Sequence, residues 1–167
     1  YRKKSSFEMA VATTIRNESA SRTTPGCAFF GLCGGCSLQH MDARTQVAAK
    51  QRVLEDNLRH IGKVTPEQIL PAIHGPTWGY RHRARLTSRY VGKKGGALVG
   101  FHEKRSSYVA DMRSCAVLPP RISGLLMPLR ELVSSLSIRA RLPQIELAIT
   151  EEVDVLVLRV LDPLTQD

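Results

Sequence analysis

Four cysteines, three of them within ten residues, constrain this chain more than any other feature of its sequence. Cys27, Cys33 and Cys36 follow the pattern C-x5-C-x2-C, and Cys115 lies 79 positions further along. Both residues between Cys33 and Cys36 are glycine, so the backbone there can pass close to a small bound object. Because no histidine interrupts the run, the pattern favours a soft-metal centre that ties the clustered cysteines to a remote segment.

Three kinds of structure compete for these four thiols. Disulfides need an oxidising compartment, and the N-terminus carries no secretory leader, so they are the least favoured. A structural zinc site more often shows two C-x2-C pairs, or one such pair with histidines. Three close cysteines and one remote cysteine suit a cubane iron–sulfur cluster, which we favour. His40, four residues after Cys36, could replace one cysteine, although a histidine there more often caps the following helix.

The positive charge of the chain is segregated. The formal net charge is +9, but residues 1–115 hold 19 basic and 8 acidic side chains, whereas residues 116–167 hold 5 and 7. Residues 78–113 alone contain nine lysines and arginines against Glu103 and Asp111. Clustered cations release condensed counterions when they meet a nucleic-acid backbone, so this segment predicts a surface for nucleic acid. The alternative is an ordinary solvated basic face.

The hydrophobic pattern predicts an α+β fold with antiparallel hairpins and two main helices. A composition of 43% hydrophobic and 23% charged residues is typical of a packed globular chain. No apolar run approaches the ~20 residues of a membrane span. The predicted helices cover residues 42–61, with an apolar stripe through Leu54 and Leu58, and residues 122–136, where Pro128 should kink the helix or mark its start. Strands are predicted at residues 7–15, 78–91, 97–101, 107–110, 144–149 and 153–160.

Arginines alternate along the strand predicted at residues 78–91. Arg81, Arg83 and Arg85 have period two, so all three should project from one face of the sheet. We expect them to contact nucleic acid, with about one of the three paired instead to a carboxylate. The secondary candidates on the predicted meander are His82, Lys93, Lys94, Lys104 and Arg105. Trp78 and Tyr80 could stack on a base, although such a pair beside a glycine is more often core.

Two motifs together resemble a known family. The run P-G-C-x5-C-G-G-C-x2-Q-H over residues 25–40 and the block W-G-Y-R-x-R-A-R over residues 78–85 precede the late Cys115. This arrangement closely resembles the bacterial 23S ribosomal RNA uracil-C5-methyltransferases, within the wider group of RNA 5-methyluridine methyltransferases. The resemblance covers nearly the whole chain. It departs from the family pattern at Ala28 and Ala116, where proline often follows the first and last cluster cysteines.

The resemblance implies a domain organisation. Residues 1–15 would be the last strand of an N-terminal oligonucleotide-binding β-barrel, the TRAM domain, and residues 16–26 a linker. Residues 27–167 would form a central RNA-binding domain in which Cys27, Cys33, Cys36 and Cys115 hold a 4Fe-4S cluster that staples the fold. A catalytic domain that binds S-adenosylmethionine would follow residue 167.

The resemblance also implies an activity. In the full-length protein a cysteine nucleophile would attack uracil C6 of 23S ribosomal RNA and the methyl group would pass to C5. Neither the glycine-rich cofactor loop nor the nucleophile motif occurs in residues 1–167, so we expect these residues alone to be inactive. We expect a cytoplasmic monomer that does not enter membranes. The competing prediction is a non-enzymatic zinc-bound RNA-binding module.

Overall fold

A four-stranded antiparallel sheet organises the chain in a computed structural model, which describes residues 2–3 and 8–164. The sheet contains β3 (Arg83–Val91), β4 (Gly96–Gly100), β5 (Gln144–Ile149) and β6 (Asp154–Arg159), in the order β4-β3-β5-β6. Two short strands, β1 (Arg2–Lys3) and β2 (Glu8–Met9), pair separately. The helices are α1 (Ala43–His60), α2 (Pro120–Ser123) and α3 (Leu126–Ser135), with 3₁₀ turns at Gly92–Lys94 and Arg139–Arg141.

The inner face of the sheet carries the core. Side chains alternate along each strand, so β3 and β5 turn Leu86 and Ile145 inward, and both are fully buried. Leu126 and Val133 of α3 are also fully buried and belong to the same hydrophobic cluster. The opposite face of the sheet carries the arginines described below, together with two exposed valines of β6.

The edge strand β4 is closed by α3. Ser134 accepts a hydrogen bond from the Ala97 N–H at 2.8 Å, and Arg130 donates from Nε to the Ala97 carbonyl at 3.0 Å. Arg130 also donates to Asp111 at 2.8 Å. An edge strand presents unpaired backbone groups, so these side chains satisfy groups that no neighbouring strand reaches.

The structure confirms an α+β fold with antiparallel pairing, the hairpin formed by β5 and β6, and the two main helices. The predicted meander is wrong in detail: residues 107–110 form no strand, and only an isolated bridge joins His102 to Val109. The free side of β3 is taken by β5, which buries Ile145, Leu147 and Ile149 through its alternating pattern.

Other boundaries also differ from the sequence prediction, and the strand predicted at residues 78–91 begins only at Arg83. The second predicted helix is divided into α2 and α3 around Gly124, and Pro128 lies in the first turn of α3, where its missing N–H has no intrahelical acceptor to lose. The first predicted strand is shorter than expected, because β2 ends at Met9 and residues 10–15 form no strand. Its first residue, Phe7, lies outside the described residues.

Helix α1 forms as predicted but stands apart from the core. Asp42 caps it, accepting from the Thr45 N–H at 2.9 Å and from the Thr45 hydroxyl at 2.7 Å. No residue of α1 is buried, and Leu54 in its apolar stripe is 55% exposed. Residues 63–76, which follow the helix, contain neither helix nor strand. None of the helices that the described residues form has the length and hydrophobicity of a membrane span.

Candidate metal centre and nucleic-acid interface

All four cysteines line one small cavity. Cys33 and Cys115 are buried, Cys27 and Cys36 are half-buried, and all four thiols are free. The rest of the wall is mostly apolar, and its larger apolar members are Phe29, Phe30, Phe101, Met112 and Val117. The structure therefore brings together the three clustered cysteines and the remote one, as the sequence spacing predicted.

The tight loop that carries three of these cysteines is held by its own backbone. The Phe30 N–H donates to the Cys27 carbonyl at 3.0 Å, and the Cys33 N–H donates to the Phe29 carbonyl at 2.9 Å. The Gly35 N–H points at the Cys33 sulfur, 3.3 Å away. A Cβ at position 35 would lie 3.1 Å from the Phe101 ring, so a side chain there would crowd the cavity wall.

Residues that follow β4 hold the cysteine loop from one side. The Gly34 N–H donates to the His102 carbonyl, and the Lys104 N–H donates to the Leu32 carbonyl, both at 2.8 Å. An open groove runs beside the cavity along this contact, lined by residues 34–37 and 101–105. Basic side chains of Lys104 and Arg105 lie on its wall.

The W-G-Y-R block joins the fourth cysteine to the loop. The Gly79 N–H donates to the Ala116 carbonyl at 3.0 Å, and the Arg81 N–H donates to the Val117 carbonyl at 2.8 Å, so the block runs beside the residues after Cys115. Cys115 itself donates its N–H to Ser123 Oγ on α2 at 2.9 Å. Trp78 lies against the loop and is 44% exposed. It is therefore not a core residue, although an aromatic residue beside a glycine is more often buried.

Burial shapes the acidity of the two inner thiols. It raises the pKa of Cys33, partly opposed by the Gly35 N–H, and the neighbouring cysteines raise that pKa further. Burial also raises the pKa of Cys115 against the backbone N–H groups of Val117 and Leu118. Thiolates are the form that binds metal, so occupation of this cavity by a cation would have to release protons.

The described residues contain no group of three or more His, Cys, Asp or Glu side chains that is arranged to hold a metal ion. The four cysteines share one cavity without the arrangement that a single metal ion needs. The sulfur ligands of a cubane bind four different irons and lie farther apart than the ligands of one ion. His40 does not line the cavity; its ring lies 6.0 Å from that of Phe30, and Asp42 caps α1 in its place.

Two of the three alternating arginines share the outer face of the sheet. Arg83 and Arg85 are both exposed on β3. Arg85 lies opposite Glu146 of β5, with its Nε 4.0 Å from the carboxylate, and Arg159 of β6 approaches the same carboxylate at 2.6 Å. Arg83 has no ion pair or side-chain hydrogen bond within the part of the chain that is described, so its charge faces solvent unneutralised.

The Arg81 side chain does not lie on the outer face of the sheet with those of Arg83 and Arg85. Its side chain is partly buried and donates from Nη2 to the Gly35 carbonyl at 3.4 Å. Its guanidinium carbon lies 5.2 Å from the centre of the Phe101 ring. The structure therefore places the Arg81 side chain at the cysteine loop, whereas Arg83 and Arg85 lie on the open sheet.

The secondary basic candidates are dispersed around the sheet and the groove. Lys94 pairs with Asp111 at 3.2 Å, and the Lys104 ammonium lies 4.3 Å from the centre of the Phe30 ring. His82, Lys93 and Arg105 are exposed. The structure does not gather them into one cluster with the sheet arginines.

The chain matches known proteins over its whole length, although no family model matches it. It is 69% identical, over 99% of its residues, to the 23S rRNA (uracil(1939)-C(5))-methyltransferase RlmD of Nitrosospira multiformis. It is 64% identical to proteins of the same name from Cupriavidus pinatubonensis and Burkholderia ambifaria, over 99% and 100% of its residues. The predicted family resemblance is confirmed. The chain spans 36 to 38% of the length of these three methyltransferases.

Two further arginines lie on the same face of the sheet as Arg83 and Arg85, and the sequence prediction did not include them among the site residues. Arg89 is exposed on β3, and its spacing from Arg85 and Arg83 could have added it to the same face. Arg159 reaches that face from β6, and only the register of β5 against β6 reveals it. Strand alternation is a local signal, whereas neighbours across a sheet depend on which strands pair.

Proposed function

We propose that this chain is the cluster-binding and RNA-docking part of a methyltransferase that forms 5-methyluridine in 23S ribosomal RNA. The observation that carries the proposal is the convergence of Cys27, Cys33, Cys36 and Cys115 on one cavity, in a chain so similar to proteins of that name. The proposal places the whole protein in the cytoplasm as a monomer. Methyl transfer from S-adenosylmethionine would take place outside residues 1–167, which hold neither a glycine-rich cofactor loop nor a nucleophile motif.

The donor set fits a 4Fe-4S cluster. Four thiolates are the ligands such a cluster takes, and the apolar wall formed by Phe29, Phe101 and Met112 would shield it from water. When bound, the cluster would supply a covalent link between residues 27–36 and Cys115. We assign it a structural task, because metal-binding free energy becomes folding free energy when the site exists only in the folded chain.

The RNA-docking surface is the outer face of the sheet together with the groove. Arg83, Arg85 and Arg89 would contact phosphates, and Lys93, Lys104 and Arg105 would extend the positive potential toward the groove. The target uracil must leave its stack before it can react. A rigid second surface that binds the surrounding RNA would hold that RNA in place while the base is extruded.

The decisive measurement is an anaerobic absorption spectrum with iron, sulfide and zinc determined on the same sample of the full-length protein. A broad visible band with about four irons and four sulfides per chain is expected. Zinc at one per chain without iron would instead identify the alternative, a zinc-bound RNA-binding module. Full-length protein with Cys115→Ser should lose the iron. The control variant Arg83→Ala, measured in the same way, should keep it.

Activity is tested separately. Full-length protein incubated with labelled S-adenosylmethionine and 23S ribosomal RNA should incorporate methyl groups. Residues 1–167 alone should not, and incorporation by them would contradict the assignment of the chemistry to another part of the protein.

A further inference from the structure

Arg81 carries a charge that no carboxylate in the described residues neutralises. Among the described residues its side chain contacts the Gly35 carbonyl, at 3.4 Å, and the Phe101 ring, whose centre lies 5.2 Å from the guanidinium carbon. Both partners line the cysteine cavity. A partly buried cation without an anionic neighbour is unfavourable unless something negative is bound nearby.

The backbone of Arg81 is fixed to the other half of the centre. Its N–H donates to the carbonyl of Val117, two residues after Cys115. The side chain then reaches across to Gly35, between Cys33 and Cys36. Arg81 therefore connects the two segments that supply the four thiols, independently of any bound group.

The Phe101 ring contacts both the glycine turn and the Arg81 side chain. A Cβ at Gly35 would lie 3.1 Å from the Phe101 ring, so the ring already presses on the glycine turn from one side. The planar guanidinium of Arg81 lies over the same ring, a contact that the point charge of a lysine does not reproduce. The ring and the guanidinium together hold the turn between Cys33 and Cys36.

We propose that Arg81 is a positioning residue for the four-cysteine centre: it fixes the glycine turn, and its charge offsets the negative charge of four thiolates. This inference rests on the proposed cluster. A cluster held by four thiolates gains an electron less readily as its surroundings become more negative, so the Arg81 charge raises its reduction potential. Sequence reasoning placed Arg81 with the RNA contacts, and the two roles predict opposite results.

The test compares Arg81→Gln, Arg81→Lys and the control Arg83→Ala in full-length protein, whose reduction potential, rate of iron loss to a chelator and RNA affinity are measured. We expect Arg81→Gln to lower the potential and to weaken iron retention by roughly 10- to 100-fold, as loss of an outer contact to a metal site commonly does. Arg81→Lys should restore the potential but not the retention. Arg83→Ala should change neither, while it weakens RNA binding.

The inference is overturned if Arg81→Gln keeps the wild-type potential and iron-loss rate but weakens RNA binding as much as Arg83→Ala does. Wild-type protein that contains no iron would refute the proposed cluster and, with it, the effect on potential. The positioning role is then decided by thiol labelling. Faster labelling of Cys33 and Cys36 in Arg81→Gln would support it, and unchanged labelling rates in both Arg81 variants would overturn it.

Discussion

Trp78 covers Gly26 so closely that a Cβ at position 26 would lie 2.9 Å from the Trp78 ring. Gly26 immediately precedes Cys27, and Trp78 begins the block whose backbone pairs with the residues after Cys115. The indole therefore packs against the start of the cysteine loop. No side chain larger than hydrogen fits beneath it without a shift of the ring.

Gly26→Ala should loosen the cysteine loop. The added methyl group would push Trp78 outward, and forcing extra volume into a close contact typically costs about 1–3 kcal/mol. We expect the purified variant to hold less metal per chain and to lose it faster to a chelator. Gly75→Ala is the matched control, because a Cβ at position 75 meets open space. Equal metal content in the two variants would show that the Trp78 contact does not shape the site.

The sheet arginines should differ in their contribution to RNA binding. Arg83 has no ionic partner in the described structure, whereas Arg85 shares Glu146 with Arg159. Arg83→Ala should reduce the slope of log affinity against log salt by about 1. Arg85→Ala should reduce it less, because its charge is already partly offset. A salt titration of RNA binding measures both slopes.

Glu146→Gln supplies the reverse test of the same surface. Removing the carboxylate frees Arg85 and Arg159 while the side chain keeps its shape, so RNA affinity should rise and the salt slope should steepen. Glu131→Gln, on the exposed side of α3, controls for the overall change in net charge. If both variants bind RNA equally tightly, the outer face of the sheet is not the docking surface.

Two serines should respond in opposite ways to replacement by alanine. The Ser88 hydroxyl is buried and has no hydrogen-bond partner among the described residues, so Ser88→Ala should leave the free energy of unfolding unchanged or raise it. Ser134→Ala removes the acceptor of the Ala97 N–H, which should lower that free energy by roughly 1–3 kcal/mol. Urea denaturation followed by circular dichroism measures both. A loss in Ser88→Ala as large as that in Ser134→Ala would contradict this account of the two hydroxyls.

Acid should weaken the contact between α3 and the residues after β4. Burial raises the pKa of Asp111, but hydrogen bonds from Lys94 and Arg130 and their positive charges lower it more, so the pKa lies below its ordinary value. The stabilisation is therefore present above the pKa of the unfolded chain, about 3.9, and is lost as the pH falls through the folded-state pKa. Urea midpoints between pH 7 and pH 3 should fall less steeply in Asp111→Asn than in wild type. Parallel curves would exclude a contribution from this carboxylate.

The sequence predicted features that depend on local periodicity. Helix α1, with its Asp42 end, and the hairpin of β5 and β6 follow from the spacing of apolar residues and from turn chemistry within about 20 residues. Cys115 lines the same cavity as the clustered cysteines, as a metal centre would require, and the metal centre itself stays a prediction. In each of these cases the geometry depends on a short segment of sequence or on the requirement that metal ligands lie close together.

Features that depend on competition between distant segments did not follow. Residues 107–110 alternate well enough for a strand, yet Ser134 and Arg130 of α3 occupy the edge of β4 that such a strand would join. Arg81 shares the period of Arg83 and Arg85, yet β3 begins only at Arg83, so nothing in the sheet fixes its direction. Its contact with Phe101 depends on the course of the chain 20 residues later.

Helix α1 buries none of its residues, so we expect the stability of the chain to have two tiers. An 18-residue helix without tertiary packing is marginal in water and opens independently of the sheet. Its amide hydrogens should exchange with solvent in the time of a helix–coil transition, whereas those of β3 and β5 wait for global unfolding. A substitution inside α1 would consequently leave the melting of the sheet untouched.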